Sequence, residues 1–183
     1  MPNYAEKTVL MDEATAKRAV SRIAYEIVER NRGTDNLVVI GIQTKGVSLA
    51  KLIIEKINEI EGIKLPLGSL DITFYRDDLT RLSAHPVVAG NDIAFSIEDK
   101  KIILVDDVLY SGRTIRAAME EIFDMGRPEK IELAVLVDRG GRELPIRADY
   151  IGKDVPTSRD EYIDVVLCGD DLEKVSICGK EEE

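Results

Sequence analysis

The run Ile102-Ile103-Leu104-Val105-Asp106-Asp107-Val108-Leu109-Tyr110-Ser111-Gly112-Arg113-Thr114 carries two acids out of an apolar stretch and into a helix. The continuous apolar run Ile102–Val105 makes Lys101–Val105 read as a buried strand. Thr114–Met125 reads as a helix stopped by Gly126 and Pro128. Between them lies a short loop with two hydroxyls and a glycine. Free backbone N–H groups and the positive end of the helix dipole make such a loop a phosphate cradle. Gly112 lets the backbone approach a ligand closely, and Ser111 and Thr114 add hydroxyl donors. The paired carboxylates of Asp106 and Asp107 suit two vicinal hydroxyls, so the parts together describe a site for a ribose 5-phosphate. Two adjacent acids at a strand end also occur as a plain solvated turn. The whole string in register with strand and helix sets this one apart.

Working outward, the same alternation recurs. Asp12 can cap a helix that runs to about Asn31, with Ala16, Val20, Ile23 and Ile27 at helical spacing and Gly33 able to end it. Leu37–Ile42 reads as a second buried strand and Val47–Ile60 as a second helix. Leu70–Tyr75 alternates like a strand, and Arg76–Asn91 is polar and loop-like. Lys130–Val137 is a third buried strand, Asp138–Ser158 is loop-rich, and Tyr162–Cys168 is expected to be a last core strand. Strands alternating with helices predict an α/β fold, a doubly wound, mostly parallel sheet. Ligands of such sheets bind beyond the carboxyl ends of the strands. The 183 residues carry no repeat or linker, so one domain is expected over 1–183.

Composition removes several function classes. The longest apolar runs fall far short of the ~20 residues that span a bilayer. The first ten residues do not resemble a secretory signal, so no membrane role and a cytoplasmic location are expected. Cys168 and Cys178 do not form a C-x-x-C pair, and His85 is the only histidine. A resident metal site built on soft or imidazole ligands is therefore not expected, nor a serine–histidine triad. The net charge is −10, of which nine acidic and two basic residues from Asp160 to Glu183 supply −7. A broadly basic nucleic-acid surface is excluded, but a local basic patch is not. Arg18 and Arg22, at i and i+4 off the apolar stripe, share one helix face.

Gly41-Ile42-Gln43-Thr44-Lys45-Gly46 has the spacing G-x-x-x-x-G, but Val47 stands where a Walker A loop needs lysine. A strand-to-helix loop of this kind still offers N–H groups and a cation to phosphates.

Val105–Thr114 resembles the phosphoribosyl-pyrophosphate (PRPP) fingerprint of type I phosphoribosyltransferases. Tyr75–Leu79, Val137–Gly140 and Arg142–Lys153 are similar to the PyrR family of pyrimidine operon regulators, and the likeness runs from about Leu10 to Ser158. The acidic C-terminal tail adds little to it. The resemblance implies the type I fold with a small hood and a flexible loop. It also implies uracil phosphoribosyltransferase activity (uracil and PRPP giving UMP and pyrophosphate) together with UMP-responsive binding of a leader-mRNA stem-loop. Magnesium would be held mainly through PRPP. The subunits would form a homo-dimer or higher oligomer.

The resemblance also distributes roles. Val105, Asp106, Asp107, Val108, Leu109, Tyr110, Ser111, Gly112, Arg113 and Thr114 would surround the ribose phosphate. Thr44 and Lys45 would touch the pyrophosphate; the family usually carries arginine where Lys45 stands, so a charge is kept and a bidentate fork is lost. Arg76 would neutralise the leaving group, alongside the catalytic Asp106 and Asp107. Arg139 and backbone groups near Val155 would read uracil. Ser21, Arg22, Arg30, Arg142, Arg147 and Lys153 would face RNA, with Lys153 an alternative contact to the base. Gly141 stands where relatives can carry a polar or basic side chain. Purine salvage enzymes commonly place an acid where Tyr110 stands, which leans away from the alternative, a hypoxanthine-type enzyme without an RNA role.

Overall fold

The structure is a computed structural model that describes residues 4–72 and 90–180. The chain runs β1 (Tyr4–Asp12), α1 (Glu13–Asn31), β2 (Leu37–Ile42), α2 (Lys45–Glu61), β3 (Leu67–Leu70), β4 (Lys101–Leu109), α3 (Arg113–Met125), β5 (Lys130–Asp138), β6 (Tyr150–Asp154), β7 (Glu161–Cys168) and β8 (Asp171–Lys180). Five strands form a parallel sheet in the order β3-β2-β4-β5-β6. Leu37 and Val39 of β2 and Ile103 and Val105 of β4 bury against Ile23, Ile27, Leu49 and Ile53 of α1 and α2. The intervening Val38, Ile40, Ile102 and Leu104 bury against Ile115, Ala118 and Ile122 of α3 on the other face. Both faces of the central strands are covered, which is why they read as unbroken apolar runs.

Strand order places the ligand site. From β2 the chain leaves to β3 on one side, then returns to β4 on the other. The loops after β2 and β4 therefore diverge, and a crevice opens between the two strand ends. Gly41 of β2 stands opposite Val105 of β4, so the two loops start level with each other.

The remaining strands form a separate antiparallel sheet, β1-β8-β7, whose Met11, Ile163, Val165, Leu172 and Val175 pack into the α1/α2 side of the core. This changes several sequence-based expectations. Tyr162–Cys168 is indeed a strand, but in this antiparallel sheet rather than the parallel one. The acidic segment is not a bare tail, since Asp171–Lys180 buries Leu172, Val175, Ser176 and Cys178. Irregularities in the register of β1 against β8 break the alternation that would have revealed both strands. The loop-rich segment after β5 contains β6, a short edge strand. β3 ends at Leu70 rather than Tyr75, and residues 73–89, with Arg76 and His85, lie outside the described residues. Helix α1 is capped by Asp12, whose carboxylate accepts the Thr15 N–H at 2.8 Å. Its C-cap is Arg32, not Gly33: Arg32 takes the left-handed conformation (φ 56°), and the Gly33 N–H closes onto the Val28 carbonyl at 2.9 Å. Among the described residues no helix is long and apolar enough to cross a membrane.

Gly46 sets how tightly α2 sits on the sheet. A Cβ there would lie 2.5 Å from the Val105 carbonyl oxygen, which is backbone and cannot swing away. Gly46→Ala is expected to lift the start of α2 from β4 and cost about 1–3 kcal/mol of stability, as overpacking does. Urea unfolding would read it; an unchanged midpoint would show that the first turn of α2 is not held against β4.

Candidate active site

A cleft of about 770 Å³ occupies the crevice between β2 and β4. Its floor is the acid pair. Asp106 is 8% exposed, and its Oδ1 accepts the Asp107 N–H at 2.9 Å. The Asp107 Oδ1 accepts the Val108 N–H at the same distance. Each carboxylate is thus oriented by the next amide. Val108, Leu109, Tyr110, Ser111, Gly112, Arg113 and Thr114 line the cleft as expected, and so do Thr44, Lys45 and Arg139. Val105 does not: it is 1% exposed and belongs to the core under α1 and α2, one residue before the chain turns into the cleft. Val155 does not line it either, and its N–H donates to the Asp138 carbonyl at 2.8 Å.

Two helices begin in this cleft. α3 starts at Gly112 in the left-handed conformation (φ 91°), with no side-chain cap and no acid in its first turn. α2 starts after Thr44, again without a side-chain cap bond or a first-turn acid. Ordinary surface helices offset their first turns with capping oxygens and acids. Here two positive helix ends converge on one space, which is an anion site by construction.

The phosphate loop is braced from outside. Ser111 accepts the N–H groups of Glu143 and Leu144 on its carbonyl at 2.9 and 3.1 Å, and Glu143 pairs with Arg113 at 2.6 Å. Arg142 donates to the carbonyls of Tyr110 (2.7 Å) and Ile146 (3.0 Å) and to the Asp138 carboxylate. The buried Arg139 stacks over the Tyr110 ring, 4.1 Å from its centroid. Arg139 also donates to the Thr157 hydroxyl (2.7 Å) and the Ser158 carbonyl (2.8 Å), tying the segment after β6 to the phosphate loop. Burial lowers the pKa of Arg139 from its ordinary value. Ile42, Gln43, Ile115, Glu143, Tyr162 and Ile163 also line the cleft and were not picked out from the sequence. Tyr162 and Ile163 arrive from the antiparallel sheet, and no local motif announces that contact.

A family model described as a phosphoribosyl transferase domain matches residues 9–168. The chain is 60% identical over 162 residues to the "Bifunctional protein PyrR" of Acetivibrio thermocellus, covering 88% of each. It is 56% identical over 178 residues to the protein of that name from Bacillus mycoides, covering 96% of this chain and 99% of the relative. This chain belongs to the PyrR family of phosphoribosyltransferases. Solved structures agree on the fold. A hypoxanthine-guanine phosphoribosyltransferase from Bacillus anthracis aligns with a TM-score of 0.70 at 22% identity, covering 96% of this chain and 99% of that one. The hypoxanthine phosphoribosyltransferase of Trypanosoma cruzi aligns with a TM-score of 0.72 at 18% identity, covering 93% and 95%. At such identities the likeness concerns the fold alone.

The cations that the PyrR resemblance assigns to RNA fall into separate places. Arg22 and Lys153, together with Arg18, line a groove of about 310 Å³ between α1 and β6. Arg22 donates to the Ile151 and Gly152 carbonyls at 3.1 and 2.6 Å, and Lys153 to the Leu10 carbonyl at 3.0 Å. Ser21 sits beside them on α1, its hydroxyl donating to the Lys17 carbonyl at 3.0 Å. Arg147 is exposed. Arg142 differs from the expectation of an outward-facing contact: only 24% of its side chain is exposed, and its guanidinium braces the phosphate loop.

Arg30 is held over a buried polar cluster. Its guanidinium lies 5.6 Å from the Tyr150 ring centroid, 3.0 Å from Asp149 and 3.6 Å from Glu132. Glu132, 5% exposed, accepts from Tyr150 (2.8 Å), Asn31 (2.9 Å) and Lys130 (2.7 Å). Burial pushes the Glu132 carboxyl up, and the bonds from Lys130, Asn31 and Tyr150 outweigh it, so the net shift is downward. The Tyr150 hydroxyl is pushed well up, by burial first and then by Glu132. A carboxyl lowered in the fold stabilises above its unfolded pKa, about 4.3, and loses that contribution as pH falls through its folded value. Glu132→Gln is therefore expected to be less stable than the parent at pH 6–7, with the gap closing below about pH 4. Urea unfolding across that range checks it; a gap independent of pH would assign the loss to packing instead.

Proposed function

We propose that the protein transfers the phosphoribosyl group of PRPP to uracil, giving UMP and pyrophosphate, and that in its UMP-bound form it binds a leader-mRNA stem-loop to attenuate pyrimidine genes. One observation carries this reading. The chain is 56–61% identical over most of its length to proteins named bifunctional PyrR, and Asp106–Thr114 of its fingerprint line one cleft. The hypoxanthine enzymes among the solved structures support the fold but carry no claim about the base.

The chemistry asked of this cleft is positioning and charge stabilisation. The N-terminus of α3 and the Ser111–Thr114 loop hold the 5-phosphate. Asp106 and Asp107 take the ribose hydroxyls and face the positive charge that grows at the anomeric carbon as the leaving group departs. The N-terminus of α2, Thr44 and Lys45 receive the pyrophosphate, with Arg76, which lies outside the described residues. Arg139 presents hydrogen-bond donors toward the base and is kept in place by the Tyr110 stack and the Thr157 and Ser158 bonds.

The lining carboxylates and hydroxyls are hard oxygen donors of the kind magnesium prefers. Asp106, Asp107 and the hydroxyls of the loop would meet a magnesium ion carried in largely by PRPP oxygens. When bound, the ion neutralises charge on the departing pyrophosphate. Cytoplasmic location and a homo-dimer or larger assembly complete the reading.

Asp106→Asn combined with Asp107→Asn should reduce UMP formation at least a hundredfold while the urea midpoint moves modestly, since both side chains line the cleft outside the two apolar clusters and Asn keeps their shape. Labelled uracil with PRPP and magnesium gives the rate; near-parental turnover would refute the ribose assignment.

The groove of Arg18, Arg22 and Lys153 is the favoured RNA contact, because it gathers three cations on a chain of net negative charge. Arg22→Gln should weaken stem-loop binding about tenfold at low salt and reduce its salt dependence, leaving uracil transfer unchanged. Filter binding with UMP present checks this; unaltered RNA affinity would move the interface elsewhere.

A further inference from the structure

The pyrophosphate end of the cleft is electrostatically one-sided. Lys45 opens α2, whose first turn holds no acid and no side-chain cap, so the lysine charge adds to the positive helix end. The carboxylate that answers it comes from the antiparallel sheet: Asp164 of β7 places Oδ1 3.2 Å from Lys45 Nζ. Both side chains are about two-fifths exposed (41% and 42%), so the pair adds little to stability. Nor is it needed to dock the β7–β8 hairpin. At the turn of that hairpin Asp170 accepts from the Ser48 hydroxyl at 2.9 Å and from Lys51 Nζ at 2.7 Å, further along the same side of α2.

A carboxylate that stabilises little, set beside a cation that must receive a multiply charged anion, acts on that anion. We infer that Asp164 is a resident counter-anion that PRPP displaces from Lys45, and that it sets the affinity of the cleft for the pyrophosphate group. The inference rests on the phosphoribosyltransferase reading above. Asp164 lowers that affinity in two ways: it engages the lysine ammonium, and it repels the incoming charge. A lysine at this position suits such an exchange, because an ammonium on a flexible stem changes partner without the fixed geometry of a guanidinium fork. UMP carries no pyrophosphate, so its binding does not sense Asp164.

Asp164→Asn keeps the shape and removes the charge. Calorimetric titration with PRPP, with magnesium pyrophosphate and with UMP, alongside uracil-dependent turnover, tests the inference. The dissociation constants for PRPP and magnesium pyrophosphate should fall about three- to tenfold at low salt, with the difference narrowing by about 0.5 M salt. That for UMP should stay within about twofold. In a Lys45→Met background most of the gain should vanish. Unchanged PRPP affinity would reduce the pair to an ordinary surface contact and overturn the inference. Weaker PRPP binding would also overturn it, assigning Asp164 to holding the magnesium–pyrophosphate. If the parent protein neither binds PRPP nor forms UMP, the functional reading fails and this inference fails with it, an outcome distinct from the other two.

Discussion

Two helices start in one cleft with nothing on their own first turns to offset them, and the site depends on that. The cause lies in the sheet. β2 and β4 are neighbours whose following loops leave in opposite directions, so the N-termini of α2 and α3 face the same crevice. Gly46 lets the first of these helices press against the end of β4, with backbone approaching backbone. Gly112 turns the chain into the second in a left-handed conformation that a larger residue adopts only with strain. A capping acid at either end would stabilise a helix and spoil an anion site. The molecule forgoes that stabilisation and recovers order from elsewhere, through the 140–147 segment laced along the phosphate loop.

That lacing joins two surfaces that sequence reading kept apart. Arg142 bonds to the carbonyl of Tyr110 inside the loop, and Arg139 stacks on the same tyrosine while holding Thr157 and Ser158. Gly141 sits flat against the Tyr110 ring: a Cβ there would lie 2.3 Å from it. The phosphate loop, the base side of the cleft and the segment leading to β6 are therefore one connected unit. β6 is also the strand whose Gly152 and Lys153 line the basic groove.

Much of this was legible because the parallel sheet writes itself in short-range patterns. β2 was read at its observed bounds, and β4, α3 and β5 within a few residues, since strands buried on both faces are unbroken apolar runs and α3 ends at Gly126. The acid pair and the hydroxyl–glycine loop were legible because phosphate and ribose chemistry constrains contiguous residues. The antiparallel sheet was not. Its outer strands come from opposite ends of the chain, its register is irregular, and its acids made Asp171–Lys180 read as tail. For the same reason the cleft contacts of Tyr162 and Ile163 and the pairing of Asp164 with Lys45 were missed, because only tertiary packing brings them about. The bracing by Arg142 was not legible either; its partners are carbonyls 32 and 4 residues away, which composition does not show.

The central claim is that this cleft transfers phosphoribose to a pyrimidine. Its most direct test is pyrophosphate release from PRPP and magnesium in the presence of uracil, cytosine, hypoxanthine or guanine, each supplied alone. The account predicts release with uracil and none above background with the two purines. Release with hypoxanthine equal to or faster than with uracil would contradict it.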